Sequence, residues 1–161
     1  MNQMKTKLTF LLSLTFLFLF SGSVYGDDFQ DGSDAYNRKD YKEAVRLWKP
    51  LAEEGNVIAQ YNLGHMYEKG KGVSQDYKEA VRLYRLSAEQ GDLDAQLKLG
   101  VSYGMGRGVS QDYALAHMWW NLSGSNGNKE AAENREIIET KMTPTQIEKA
   151  KEMARNWKPK K

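Results

Sequence analysis

The chain contains no cysteine and only two histidines among 161 residues, and each scarcity removes a class of explanation. Without cysteine there is no disulfide staple, no thiolate metal site and no cysteine for lipid attachment. The histidines, His65 and His117, are far apart in the sequence. Neither belongs to a His-Glu-x-x-His pair, so the spacing of a zinc hydrolase is missing. No Ser-x-x-Lys or Lys-Thr-Gly element occurs, which removes the signature of a penicillin-recognising serine enzyme. Long apolar runs are also scarce. The single one, Leu8 to Phe20, has 13 residues, whereas a helix that spans a bilayer needs roughly 20.

What surrounds that run has the order of a secretory signal. Lys5 and Lys7 precede it, Ser21 to Gly26 supply small residues, and Val24 and Gly26 suit the −3 and −1 sites of a signal peptidase. The expectation is a signal peptide over residues 1–26 and a periplasmic or secreted mature chain without stable membrane insertion. Cleavage would remove two of the 23 basic residues and none of the 21 acidic ones, so the two signs balance. The pI near 8.6 therefore belongs to the uncleaved chain and gives no support for a nucleic-acid partner.

The dominant positive feature is a 36-residue period. Asp40 to Leu47 recurs without change as Asp76 to Leu83 and returns in weaker form as Asp112 to Ala116. Ala52-Glu53-Glu54-Gly55 aligns with Ala88-Glu89-Gln90-Gly91, and Gly70-Lys71-Gly72-Val73-Ser74-Gln75 with Gly106-Arg107-Gly108-Val109-Ser110-Gln111. A fixed period in this range means stacked supersecondary units. Within a unit, Ala59, Leu63 and Tyr67 make one stripe of a helix over Val57–Lys69, with Gly64 beside it for close approach of a neighbour. Gly70 and Gly72 break that helix. Asp76 then N-caps a second helix, with Glu79 placed to complete a capping box, and Ala80, Leu83, Tyr84 and Ala88 point inward. Pro50 falls inside the first such second helix and predicts a kink near Arg46.

This pattern resembles the Sel-1-like repeat, a relative of the tetratricopeptide repeat with a longer glycine-containing loop in each hairpin. The resemblance rests on Ala59, Leu63-Gly64, Tyr67, Gly70, Gly72-Val73, Asp76, Ala80, Tyr84, Ala88 and Gly91, and on the same registers 36 residues later. It implies an all-α fold in which antiparallel helix pairs wind into a right-handed superhelical solenoid. The expected organisation is a tetratricopeptide-like hairpin at 27–55, repeats at 56–91 and 92–127, and capping helices at 128–161, giving eight helices in about four hairpins. Thr143, Pro144 and Gln146 mark the start of the last helix at N-cap, N1 and N3.

Cysteine-rich relatives of this group, described as penicillin-binding or weakly β-lactamase-like, share the period. They carry a cysteine pair in every repeat, which this chain lacks, so a β-lactamase-like or peptidoglycan-binding hydrolase is the disfavoured reading. The expected chain is not an enzyme and needs no metal or other cofactor. Gly104 to Gly108 follows a helix rather than a strand, so a dinucleotide reading fails. Asp92-Leu93-Asp94 lacks the rest of a calcium loop. Asn121-Leu122-Ser123 matches a glycosylation triplet but falls in a helix. Trp119 and Trp120 share registers with Leu83 and Tyr84 and read as packing. His117 reads as semi-buried and satisfied, and the lysines near the C-terminus as a solvated, frayed end.

The remaining positional signal lies opposite the core stripe of the first helices. Ile58, Tyr61, His65 and Glu68 occupy that side in one repeat, and Asp94, Leu97 and Val101 in the next. A helix with one buried face should be polar there. The resemblance implies that these helices line a concave surface that receives a protein or peptide, anchored by Tyr61 and Leu97. Packing against the neighbouring hairpin is the competing account. The functional expectation is an exported scaffold for protein–protein or peptide binding, with a secreted host-interaction factor as the alternative.

Overall fold

The computed structural model describes residues 28–160, so the leader expected over 1–26 lies outside the described residues. Eight helices and no strand occur among them: α1 (28–37), α2 (Tyr41–Glu53), α3 (Val57–Lys69), α4 (Tyr77–Glu89), α5 (Leu93–Met105), α6 (Tyr113–Ser125), α7 (Lys129–Glu139) and α8 (Pro144–Asn156). Side-chain caps set most of these starts. Asp40, Asn56, Asp76, Asp92, Asp112 and Asn128 each accept a hydrogen bond from a backbone N–H in the first turn that follows.

The glycine loops are built alike in both repeats. Gly70 and Gly106 close α3 and α5 in the left-handed conformation, at φ 65° and 68°. The Gln75 amide then donates to the Glu68 carbonyl, and Gln111 to that of Gly104, both at 2.8 Å. Gly72 and Gly108 are constrained twice: φ is 71° and 72°, and a Cβ on either would run into the backbone carbonyl of Tyr41 or Tyr77. Each loop thus rests on the start of the second helix one repeat earlier. The first connection is shorter and turns through Lys39, at φ 66°.

Hairpins α1/α2, α3/α4 and α5/α6 stack as the period requires. The core is filled by the recurring stripe, from Ala44, Trp48, Ala59 and Leu63 to Ala80, Tyr84, Ala95, Leu99, Ala116 and Trp120. Gly64 lies against the Tyr84 ring and Gly100 against the Trp120 indole. Trp120 also donates to the Leu97 carbonyl at 3.2 Å, so both tryptophans of the pair serve packing.

Two expectations change. Glu79 does not reach back to complete a capping box; its carboxylate forms two hydrogen bonds with Arg82, at 2.7 and 2.8 Å. An exposed guanidinium one turn away offers two charge-assisted bonds, where the backbone offers one neutral donor. The reciprocal box forms instead at Thr143 and Gln146, as the Thr-Pro start suggests. Helix α2 runs on through Pro50, as expected, and ends at Glu53. The second change is topological. Helix α8 does not complete a fourth hairpin with α7; it doubles back and packs on α6, with Trp157 edge-on to Trp119 at 6.0 Å between centroids. Thr140 to Thr143 supply the reversal, and the exposed residues of α7, among them Glu133, Glu136 and Ile137, give α8 little apolar surface to cover.

Candidate partner-binding face

The residues opposite the core stripe meet different fates, because the solenoid has a different neighbour at each end. Ile58 projects to solvent, 54% exposed, at the start of α3. Tyr61 is half-buried and leans on Tyr84 at 5.9 Å between ring centroids. Burial, and then the charges of Asp94, Asp92, Glu68 and Glu130, push its hydroxyl up to about 12, so it is a neutral donor at any physiological pH. His65 is also half-buried. Burial lowers its pKa against the opposing pull of Glu68, which leaves it neutral near pH 7.

Glu68 is committed within the chain. Its carboxylate accepts from the Tyr84 hydroxyl at 2.6 Å and pairs with Lys69 at 2.9 Å. Burial works to raise its pKa, but those two bonds and the charge of Lys98 carry it below the ordinary carboxylate value. Burial, together with the same bond, drives the Tyr84 hydroxyl far upward. Glu68 is therefore a pillar between α3 and α4 more than a polar group free to meet a partner.

In the next repeat the face is largely closed. Leu97 is 6% exposed and sits with Ala116, Trp120, Ala131 and Ile138, while Val101 packs against the same cluster. Helix α7 stacks over this part of α5 and converts the potential anchor Leu97 into core, the alternative that the sequence leaves open. Asp94 remains exposed and accepts a hydrogen bond from the Asn128 side chain at 3.2 Å. The structure thus gathers Ile58, Tyr61 and His65 on an accessible part of α3 and separates them from Leu97 and Val101.

It also supplies partners that the repeat register alone did not single out. Helix α1 faces α3 across a cavity of about 350 Å³ lined by Ser33, Tyr36, Asn37, Trp48, Tyr61, Asn62 and His65. Among the described residues, the side chains of Asn37, Asn62 and His65 make no hydrogen bond, so their polar atoms are available to a ligand. The α1 residues were missed because the first connection is shorter than in the later repeats, so Ser33 matches His65 at a spacing of 32 and falls outside the 36-residue register. Nearby, Lys71 donates to the Tyr36 hydroxyl at 2.7 Å and lies over the Tyr36 and Tyr41 rings.

The other motifs resolve into structure. His117 is fully buried rather than semi-buried, with Nε2 at 2.7 Å from the Glu139 carboxylate and Nδ1 without a partner. That contact lowers the pKa of Glu139. Ser123 of the glycosylation triplet is buried and donates to the Leu93 carbonyl at 2.7 Å. Asp92 caps α5. The C-terminal segment is not frayed: Lys160 donates through its backbone N–H to the Glu89 carbonyl and through Nζ to the Glu89 carboxylate, each at 2.7 Å. Among the described residues no three acidic, histidine or cysteine side chains gather as a metal site, and no helix is long and apolar enough to cross a membrane.

Comparison with known proteins agrees with this architecture. No curated protein matches the sequence significantly. A solved structure of a protective antigen from uropathogenic Escherichia coli strains, displaying an SLR fold, superposes with a TM-score of 0.78 at 33% identity. The match covers 83% of this chain and 29% of that one, so this chain spans under a third of the antigen's length. A Sel1 repeat protein from Oxalobacter formigenes aligns with a TM-score of 0.64 at 31% identity, over 70% of this chain and 87% of that one. The family profile for the Sel1 repeat matches residues 29–56, 57–92 and 93–128, which takes in the shorter first hairpin as well. That repeat is a non-catalytic scaffold fold that typically binds proteins. With three matched repeats and the corresponding helix pairs in place, the chain belongs to the Sel1 repeat family.

Proposed function

We propose that this protein is an exported scaffold that holds a protein or peptide partner on the face formed by α1 and α3. The observation that carries the reading is the cavity between those helices, where aromatic walls from Tyr36, Trp48 and Tyr61 surround the uncommitted polar tips of Asn37, Asn62 and His65. Aromatic surface for area, with a few hydrogen-bonding groups for orientation, is the usual make-up of a peptide-binding groove. Ile58 extends the apolar part of the surface outward.

The leader at 1–26 supports export to the periplasm or beyond it. Likeness to a protective antigen of uropathogenic strains favours, as the second reading, a role outside the cell toward a host. Both share one test of export. Intact mass of the chain from periplasm or medium should begin at Asp27, and an unprocessed chain confined to the cytoplasm would overturn export.

The binding face is tested separately. A photo-reactive residue at position 62 should cross-link a defined partner in the envelope fraction or medium, and Ile58→Asp with His65→Ala should abolish the adduct without changing the helical CD signal. An adduct that survives both substitutions places the partner elsewhere. Tyr61 and Leu97 are poor choices for this test because Leu97 is core and its loss would unfold the repeat.

A further inference from the structure

The 36-residue period relates two grooves of this molecule, of which one is filled by the chain's own α8 and the other is empty. The filled groove runs between α4 and α6 over the floor of α5. Ala154, Met153 and Trp157 of α8 cluster there with Ala88, Leu99, Met118 and Trp119. Subtracting one period gives Ala52, Leu63, Arg82 and Leu83. Those residues, with Tyr67 and Leu86 at the registers of Tyr103 and Leu122, line a cavity of about 660 Å³ between α2 and α4 over the floor of α3. It lies away from the α1–α3 face.

The two grooves share a floor and differ at the rim. Leu115 and Met118, beside α8, become Glu79 and Arg82, which pair with each other. Glu53 and Glu54 stand exposed at the end of α2, one turn beyond Lys49 on the same rim, and neither glutamate forms an ion pair among the described residues. Glu89 is already engaged by Lys160, where the segment after α8 crosses α4 and reaches the edge of the empty groove. The chain therefore demonstrates both halves of a recognition mode: a small-residue helix face on this floor, and a lysine on this acidic rim.

We propose that the α2–α4 groove is a second binding site, for a basic amphipathic helix of a partner protein that docks as α8 docks one repeat later. The occupant would carry a stripe of alanine-sized and one larger apolar residue toward Ala52, Leu63 and Leu83. Lysine or arginine on its flank would meet Glu53 and Glu54. The α8 segment has this chemistry itself, with Ala150, Ala154 and Trp157 on one side and Lys149, Lys151, Arg155, Lys158 and Lys160 around it. A Glu79–Arg82 ion pair in place of Leu115 and Met118 explains why the groove can stay open in water without being covered by the chain's own helix. This site stands independently of the α1–α3 face.

The probe is a fluorescein-labelled, N-acetylated peptide with the sequence of residues 143–160, titrated into the purified chain with anisotropy detection. Saturable binding is expected, weakened at least tenfold by Glu53→Lys with Glu54→Lys and by Leu86→Asp, and unaffected by Ile58→Asp. A peptide with its five Lys and Arg residues replaced by Gln should bind at least tenfold more weakly. A photo-reactive group at peptide position 157 should mark Arg82 or Leu86. Absence of binding, or affinity indifferent to the rim charges, overturns the proposal. Cross-links to Met118 or Trp119 overturn it too, because the peptide would then be exchanging with the resident α8. Dimerisation of the unlabelled chain that is lost with the rim reversal would give the groove to a second copy and likewise refute a separate partner.

Discussion

Gly72 shows how much a single residue can carry in this fold. Its positive φ and its seat against the Tyr41 carbonyl make two demands that only glycine meets together, and Gly108 repeats them against Tyr77. Gly72→Ala should cost at least about 1–3 kcal/mol, the range for a residue held in a sparsely populated backbone region, read as a fall in Tm. His117 tests the cost of a buried polar group. Glu139→Ala leaves both ring nitrogens without partners and should destabilise by roughly 1–3 kcal/mol, whereas the double variant with His117→Leu should recover most of the loss. His65 tests pH. Its folded pKa lies below the ordinary value because of burial, so beneath about pH 6.5 the unfolded chain takes up a proton that the folded chain resists. Stability should therefore fall as pH drops below that value and be flat from this group above it, and His65→Gln should flatten the fall in urea midpoints measured between pH 7.5 and 5.5. The glycines were legible from sequence because repetition marks them. The partnering of His117 was not, because Glu139 lies on the next helix and outside any motif.

At the scale of elements, α8 separates local from tertiary information. Its start was written locally: Thr143 and Gln146 exchange hydrogen bonds around Pro144 as their spacing suggests, and Thr143→Ala should cost about 1 kcal/mol. Its placement was not. The repeat alone argues for a hairpin with α7, yet α8 lies on α6 with Trp157 against Trp119. Trp157→Ala should lower stability by about 2 kcal/mol, less than the roughly 3–5 of a fully buried tryptophan, and should raise hydrogen exchange in α8 while leaving α1 to α3 unchanged. An equal rise along the whole chain would mean that α8 is not a separable cover. The first-helix stripes make the same point. Tyr61 and Leu97 hold one register, but α7 covers Leu97 and leaves Tyr61 at the edge of a cavity.

For the whole molecule, a stack of near-identical units gives each hairpin only its neighbours to lean on, so stability is a sum of local terms and interfaces. Beyond the repeat register the packing changes: α7 lies on α6 and α5, and α8 doubles back onto α6. The sequence by itself determined the all-helical repeat, the extent of α3, the caps at Asp76 and Thr143, the glycine loops and the inward stripes. All of these follow from periodicity and from backbone constraints that act within a few residues. Tertiary structure decided which equivalent positions became core and which stayed accessible. It closed Leu97 beneath α7, opened a cavity between α1 and α3, and used α8 to fill one of two related grooves. Register fixes the direction of a side chain along its helix, and only the neighbouring helix decides whether that direction ends in protein or in water.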